Sequence, residues 1–223
     1  MSAHETRNFM NLKYKLLAAL AAILVLLPTV LTACGKAPSI DEVYDDFAAL
    51  IEASYEINDI FFGEGLPTHD RGGAYAAENF IYYGFEGYDS YEFVTEDSPY
   101  YSIEDIKYAA AAVYSADYLE EISTMAFIGY ADENTGAVST ARYLESAEGY
   151  LLRYSFGDTD PFNILPGKRR YKLDTMEIVK PSSANSVNVK VDSYLLGEED
   201  EVLSVTLRFV SEEDGWRLDT PTY

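Results

Sequence analysis

The stretch VNVKVD at residues 187–192 sets three valines in strict alternation with three polar side chains. Successive side chains of a β-strand point to opposite faces of the sheet, so this pattern predicts a strand with one buried face. The stretch LSVTLRF repeats the alternation from Leu203 to Phe209. Together the two stretches predict neighbouring strands of a sheet that buries one of its faces.

Polar turns separate the strands around this pair. Residues 197–200 and 212–215 are rich in Gly, Asp and Glu, which is typical of hairpin loops. Two earlier strands, residues 142–146 and 150–156, are predicted on either side of a turn at Glu148-Gly149. The strands of the predicted antiparallel meander that follows are residues 171–179, 187–195, 202–210 and 216–218.

Three helices are predicted before these strands. Ser39 and Glu42 form a Ser-x-x-Glu capping box, and apolar residues recur at helical spacing as far as Phe62. Ser102 and Ser115 begin two further amphipathic helices. Helices followed by a long run of strands predict an α+β fold, in which the N-terminal helices pack on one face of a curved antiparallel sheet.

The N-terminal segment has the order of parts of a signal peptide. Three basic residues, Arg7, Lys13 and Lys15, precede an apolar run over residues 16–31. The run is shorter than the about 20 residues that a membrane-spanning helix needs, and Pro28 weakens a helix near its end. A cleaved signal peptide is therefore predicted, with an uncleaved membrane anchor as the alternative.

The sequence Leu31-Thr32-Ala33-Cys34 closes this segment and resembles the lipobox of bacterial lipoprotein precursors. The resemblance implies cleavage between Ala33 and Cys34 and a thioether-linked diacylglycerol on Cys34, with two acyl chains that anchor a protein stably. It implies a lipid-anchored protein at the cell membrane that faces the exterior or the periplasm. The implied organisation is a signal peptide over residues 1–33, a lipidated tether over 34–38 and a single domain over 39–223.

The composition argues against several classes of function. The chain has 38 acidic and 16 basic residues and a formal net charge of −22. Because nucleic-acid binding needs a basic surface, a nucleic-acid partner is not expected. Membrane association is expected through the lipid on Cys34 rather than through the surface charge. Cys34 is the only cysteine, so neither an intrachain disulfide nor a thiolate metal site is expected. No cofactor is expected beyond the covalent diacylglycerol.

Catalytic signatures are sparse. Outside the signal peptide the only histidine is His69, in the loop His69-Asp70-Arg71, and no G-x-S-x-G motif is present. This trio is open to two interpretations, a set of catalytic groups or an ordinary polar loop. The other catalytic groups that an enzyme would have available are Asp174, Asp192, Tyr154 and Arg153.

Tyrosines are concentrated over residues 75–101, with Gly, Asp and Glu between them. A tyrosine ring can stack on a sugar while a neighbouring carboxylate binds its hydroxyls. The alternative is that these rings pack against the long helix. The candidate ligand-binding residues are Tyr82, Tyr83, Tyr88, Tyr91, Arg153 and Tyr154. The basic cluster Lys168-Arg169-Arg170, with Lys172, is suited either to bind a phosphate or carboxylate of a wall polymer or to begin a charged strand.

The pattern Gly215-Trp216-Arg217-Leu218-Asp219, after helices and a meander, resembles the end of domains in the NTF2-like superfamily, which are cystatin-like cones. The resemblance implies a pocket between the curved sheet and the helices, but no particular activity. The predicted function is a non-catalytic module, held at the membrane, that binds a ligand or protein. The expected partner is a protein of the cell envelope or a wall polymer.

Two alternatives accompany this prediction. The helix, the Tyr-rich segment, the helix pair and Gly215-Trp216-Arg217 resemble the IseA group of cell-wall endopeptidase inhibitors. That resemblance implies an inhibitor or accessory factor of cell-wall hydrolases, and an acidic surface suits docking on a basic enzyme. The other alternative is an enzyme with carboxylate chemistry in the pocket of the cone.

Overall fold

The computed structural model describes residues 35–69, 91–131, 138–139, 141–146, 149–154, 162 and 168–223. Within these residues the chain forms the predicted α+β fold, with three helices, a four-stranded sheet, a three-stranded sheet and a two-stranded hairpin. The helices are α1 (Ile40–Phe62), α2 (Ile103–Val113) and α3 (Ala116–Phe127). The short strands are β1 (Tyr91–Phe93), β2 (Tyr130–Ala131), β3 (Val138–Ser139), β4 (Tyr143–Glu145) and β5 (Leu151–Tyr154). The remaining strands are β6 (Arg169–Val179), β7 (Ser186–Leu195), β8 (Leu203–Glu212) and β9 (Gly215–Leu218).

Helix α1 begins at the predicted capping box. The backbone N–H and the hydroxyl of Ser39 donate to the Glu42 carboxylate at 2.7 and 2.8 Å. These two hydrogen bonds lower the pKa of Glu42, with the backbone one as the larger cause. Val43, Phe47 and Ile51 are buried along one side of the helix. The apolar stripe read from the sequence therefore faces the domain core.

Strands β6 to β9 form an antiparallel sheet in chain order, which confirms the predicted meander. Val187, Val189 and Val191 are all buried, as their alternation predicts. The ring of Phe47 on α1 stacks on that of Phe209 on β8, with centroids 3.8 Å apart. Side chains therefore fill the space between the sheet and this part of α1, and any pocket must lie elsewhere along the helix.

The first residues of β8 depart from the predicted pattern. Leu203 is 60% exposed, although the alternation predicts its burial. Strand β9 pairs only with residues 209–212 of β8, so within the described sheet the start of β8 has β7 as its one neighbour. The packing that buries Leu207 and Phe209 does not extend to this corner of the sheet.

The shorter strands form a second sheet in the order β1-β5-β4. Strands β4 and β5 pair as the predicted hairpin, but β5 takes β1 as its other neighbour, so the hairpin does not belong to the four-stranded sheet. Leu151 and Leu152 are consecutive and both buried. A strand that is covered on both faces does not show the alternation of a half-buried strand. The sequence therefore did not predict that the β4–β5 hairpin lies in a different sheet from β6 to β9.

Helices α2 and α3 pack beside β9. The hydroxyls of Ser102 and Ser115 each accept a backbone N–H from the first turn, as the predicted caps require. The backbone N–H of Ser115 donates to the carbonyl of Leu218 at 2.8 Å, which ties the helix pair to β9. Met125 on α3 is 41% exposed, at an open hollow on that helix. Across the part of the chain that is described, no helix is long and apolar enough to cross a membrane.

The segment before α1 lies against the domain. The carbonyl of Gly35 accepts the backbone N–H of Ala184 at 3.2 Å. A Cβ atom added at residue 35 would lie 2.8 Å from the Ala184 Cβ, which is too close for an ordinary contact. The predicted tether over residues 34–38 is therefore held at Gly35, beside the loop between β6 and β7.

Candidate functional site

A cavity of about 370 Å³ lies beside the C-terminal half of α1. Five segments that are distant in the sequence line it: α1, the turn after α1, the segment before α2, the start of β6 and residues 222–223. Its volume is near the lower end of the about 300–1,000 Å³ that is usual for small-molecule sites. The lining residues that matter most for its chemistry are Tyr55, Glu56, Tyr100, Arg169, Arg170 and Tyr223.

A buried hydrogen-bonded network holds the C-terminal residues in the wall of this cavity. The Thr222 hydroxyl donates to Oγ of Ser54, and the Asn58 amide donates to Oγ1 of Thr222, both at 2.7 Å. The Tyr114 hydroxyl donates to Oδ1 of Asn58, also at 2.7 Å. Burial raises the pKa of Tyr114 to about 12. Because buried polar groups are costly to leave unpaired, this network fixes Thr222 against α1 and against Tyr114, which follows α2.

The acidic side of the cavity is already hydrogen-bonded or ion-paired. The Tyr100 hydroxyl donates to Oε1 of Glu56 at 2.8 Å. Partial burial, followed by this hydrogen bond, raises the pKa of Tyr100 to about 12, so the hydroxyl is a neutral donor at neutral pH. Nζ of Lys168 lies 3.2 Å from Oδ2 of Asp59. The two carboxylates therefore have partners within the lining of the cavity.

The basic side of the cavity is formed by the start of β6. The guanidinium carbon of Arg170 lies 4.2 Å from the ring centroid of Tyr55. Nη1 of Arg169 donates to the hydroxyl of Ser193 at 2.9 Å. Lys172, the fourth member of the predicted basic cluster, lies instead over a tyrosine ring on β7. The structure thus brings three of the four predicted basic residues to the cavity.

The turn that borders the cavity is clamped by two arginines of the second sheet region. Nη1 of Arg153 donates to the carbonyls of Glu64 and Leu66, both at 2.6 Å. Nη1 and Nη2 of Arg142, which is fully buried, donate at 2.8 and 2.7 Å to two more carbonyls at the end of α1. Gly65 lies between them with φ +77, and an added Cβ would meet Nη2 of Arg142 at 2.7 Å. Both the backbone conformation and the close approach therefore require glycine here.

Arg142 was not among the sequence-predicted site residues. The two carbonyls that it binds are 81 and 79 residues away in the sequence. An arginine at the edge of a predicted strand usually lies at the surface, and no local pattern marks this one as buried. The last carbonyls of any helix have no hydrogen-bond donor within the helix. The role of Arg142 depends on the fold that brings its guanidinium to such carbonyls at the end of α1.

The other predicted ligand-binding residues lie away from the cavity or outside the described residues. Tyr91 and Tyr154 face each other across β1 and β5, with ring centroids 5.4 Å apart. Tyr91 is buried, and its hydroxyl donates to the Ala141 carbonyl at 2.6 Å. Tyr91, Tyr154 and Arg153 therefore belong to one sheet, and none of them lines the cavity. The predicted residues outside the described ranges are Tyr82, Tyr83, Tyr88 and Cys34.

The groups considered for an enzyme do not form one site in the described part of the chain. Asp174 is exposed beside a bulge in β6, and Asp192 on β7 accepts a hydrogen bond from the Ser204 hydroxyl. Arg153 and Tyr154 are on the other sheet. None of these candidate catalytic residues lines the cavity.

The predicted polar loop at His69 is only partly described. Nε2 of His69 lies 3.0 Å from Oε2 of Glu96, and Asp70 and Arg71 are outside the described residues. Among the residues that the structure describes, no group of three or more His, Cys, Asp and Glu side chains could hold a metal ion.

Comparison with known proteins provides no relative for this chain: no protein-family model, no curated protein and no solved structure matches it.

Proposed function

We propose that this chain is a lipid-anchored extracytoplasmic lipoprotein whose folded domain is a non-catalytic binding module. The lipobox-like sequence that ends at Cys34 supports the anchor. The observation that carries the binding function is the cavity beside α1, which combines tyrosine rings, charged groups of both signs and apolar residues. Such a mixture suits an organic ligand with an apolar face and a few polar groups.

The position of Gly35 supports a defined arrangement relative to the membrane. Gly35 is hydrogen-bonded to Ala184 beside the N-terminal end of α1, one residue after the proposed lipid attachment at Cys34. The cavity begins at Tyr55, sixteen residues along the chain from Ser39. At about 1.5 Å per residue, α1 separates the anchor from the cavity by about 24 Å. In this proposal the ligand site faces away from the bilayer.

The anchor is tested by Cys34→Ala in the full-length chain expressed in a bacterium. The variant is expected to leave the membrane fraction and to appear in the medium without the added mass of lipid. Fractionation and intact-mass measurement read out the result. An unchanged membrane fraction together with an unchanged mass would contradict the proposed anchor.

The binding function is tested by titrating the mature lipidated chain with soluble glycan–peptide fragments of purified cell wall. Tyr100→Ala removes a ring and a hydroxyl from the cavity, so affinity is expected to fall about tenfold. Tyr108→Ala is the matched control, because Tyr108 is 82% exposed on α2 and does not line the cavity. Absence of binding, or equal loss in the two variants, would count against the cavity as the ligand site.

An inhibitor or accessory factor of cell-wall hydrolases is the second candidate function. It is favoured by the loop between β7 and β8, where the consecutive acids Glu198, Glu199, Asp200 and Glu201 are all exposed. Leu196 and Leu203 beside them are also exposed. An acidic loop with apolar flanks suits docking on a basic enzyme, with an association rate that falls as salt is added. Unchanged hydrolysis of purified wall in the presence of excess lipoprotein would exclude this candidate.

A further inference from the structure

We infer that the cavity beside α1 recognises a carboxylate on an organic ligand and that Arg169 and Arg170 bind this carboxylate. The inference rests on the proposed binding function and adds the chemical class of the ligand. It depends on three features of the cavity: the pairing of its charges, the way its arginines are held and the composition of its apolar wall.

Three other cations of the described chain have a carboxylate partner, whereas Arg169 and Arg170 have none at the cavity. Lys168 lies 3.2 Å from Asp59, Arg208 lies 3.3 Å from Asp219 and Arg217 lies 2.7 Å from Asp214. Among the described residues, no carboxylate lies within 4 Å of a guanidinium nitrogen of Arg169 or Arg170. In a chain with 38 acidic and 16 basic residues, two adjacent arginines that lack a carboxylate at a cavity indicate an anion that comes from outside.

Both side chains are held in place while most of their donors stay available. The Arg170 guanidinium lies over the Tyr55 ring, and its Nη1 donates to the carbonyl of Arg169 at 2.8 Å. Nη1 of Arg169 donates to the hydroxyl of Ser193. A guanidinium has five N–H donors, and in the described structure each arginine uses only those on Nη1. A planar fork that is already oriented loses little entropy when it binds a carboxylate through two hydrogen bonds.

The charge balance favours a carboxylate over a phosphate. Lys168, Arg169 and Arg170 line the cavity together with the two acids Glu56 and Asp59. The lining side chains therefore have one more positive than negative charge, which one carboxylate neutralises. A phosphate dianion would leave excess negative charge beside two fixed carboxylates, and like charges at short range are repulsive.

Apolar and aromatic residues of the lining accommodate the uncharged part of the ligand. They include Pro67, Pro99, Tyr100 and Tyr223. Flat apolar surfaces with a hydroxyl at one edge bind peptide or sugar bodies and leave a polar group at the rim. The ligand class is thus a carboxylate joined to an apolar or ring-shaped body, as at the end of a peptide or on an acidic sugar.

The test measures binding of N-acetyltyrosine, its primary amide and inorganic phosphate to the mature lipidated chain by NMR or calorimetry. The carboxylate is expected to bind at millimolar concentration, and the amide and the phosphate are expected to bind at least about tenfold more weakly, as the loss of charge-assisted hydrogen bonds predicts. The double variant Arg169→Gln, Arg170→Gln should lower the affinity for N-acetyltyrosine by a similar factor. With lysine instead of glutamine at position 170, only part of the affinity should return, because lysine keeps the charge but lacks the planar fork of donors.

Arg208→Gln is the matched control, since Arg208 is paired with Asp219 and does not line the cavity. It should leave the affinity unchanged, and thermal unfolding of every variant confirms folding. Equal affinity for the amide, tighter binding of phosphate, or no binding of N-acetyltyrosine would overturn the inference. If Tyr100-dependent binding of wall fragments persists in the Arg169→Gln, Arg170→Gln variant, the proposed function stands and only the carboxylate inference fails.

Discussion

The two larger sheets of the described structure are stabilised by different means. The four-stranded sheet buries Val187, Val189, Leu207 and Phe209 in an apolar core that it shares with α1, so apolar burial holds it. The three-stranded sheet is small, and its described apolar cluster has three fully buried members. Polar side chains from this region reach backbone carbonyls at and just after the end of α1 and attach the sheet to the helix.

The difference separates a sheet that its local sequence pattern specifies from one that depends on contacts between distant residues. An alternating strand specifies its own buried face, because the same spacing of two recurs along it. A side chain that pairs with helix-end carbonyls needs those carbonyls to be close, and only the complete fold brings them there. Substitutions should therefore act on the two sheets in different ways, beginning with the largest expected loss of stability.

Phe209→Ala should cost the most, about 4 kcal/mol in the free energy of unfolding, because it leaves a cavity in the core of the four-stranded sheet. Phe209 is fully buried and stacks on Phe47. Leu203→Ala on the same strand is the control and should change stability by less than about 0.5 kcal/mol, because Leu203 is mostly exposed. Equal losses in urea denaturation would show that burial does not distinguish the two ends of β8.

Arg142→Met should cost about 3 kcal/mol, because it leaves two buried carbonyls at the end of α1 without their donors. Hydrogen exchange should speed up first at residues 60–66 and in the three-stranded sheet, with the four-stranded sheet still protected. Arg208→Met, at a half-exposed ion pair, is the control and should have little effect. Simultaneous loss of protection in both sheets would contradict their independent attachment.

Gly65→Ala should cost about 2 kcal/mol, because residue 65 has φ +77 and its added Cβ would meet both arginines of the clamp. Gly197→Ala isolates the backbone part of this cost, since Gly197 has φ +92 and no atom within 4 Å of an added Cβ. It should cost about 1 kcal/mol. Thermal unfolding measures both, and an equal loss would mean that the close approach contributes nothing.

Tyr114→Phe should cost about 1 kcal/mol at neutral pH, because it removes a hydroxyl from the buried network beside the cavity. Tyr108→Phe, at an exposed tyrosine, is the control. The same residue predicts a dependence on alkaline pH, since burial raises the pKa of Tyr114 to about 12.

The sign of that dependence follows from the two states. Below about pH 10 the phenol is neutral in both the folded and the unfolded chain, so its contribution is fully present. As the pH rises from about 10 to about 12, the unfolded chain releases the proton while the folded chain keeps it, and stability falls. The decline measured by denaturation over this range should be smaller in Tyr114→Phe, and an unchanged decline would assign it to other groups.

The candidate site was only partly predictable from the sequence. The basic cluster at the start of β6 is visible as consecutive cations, and its possible use for a carboxylate or phosphate follows from the residue types. The sequence does not predict that Tyr55 and Tyr100 lie beside this cluster. Tyr55 is one of several tyrosines within the helical segments, and Tyr100 lies just before the cap of α2. The cavity exists where five segments meet, and no local pattern describes that meeting.

The α+β class, the four-strand meander and the starts of the helices could all be predicted from the residues alone. Alternating valines and Ser-based capping boxes act within a few residues, so their physical basis is local. Three features became visible only in the folded chain: the separate sheet of the β4–β5 hairpin, the binding of the turn after α1 by Arg142 and Arg153, and the position of the cavity. Those features depend on which unpaired backbone groups and charges the folded chain brings together across large separations in the sequence.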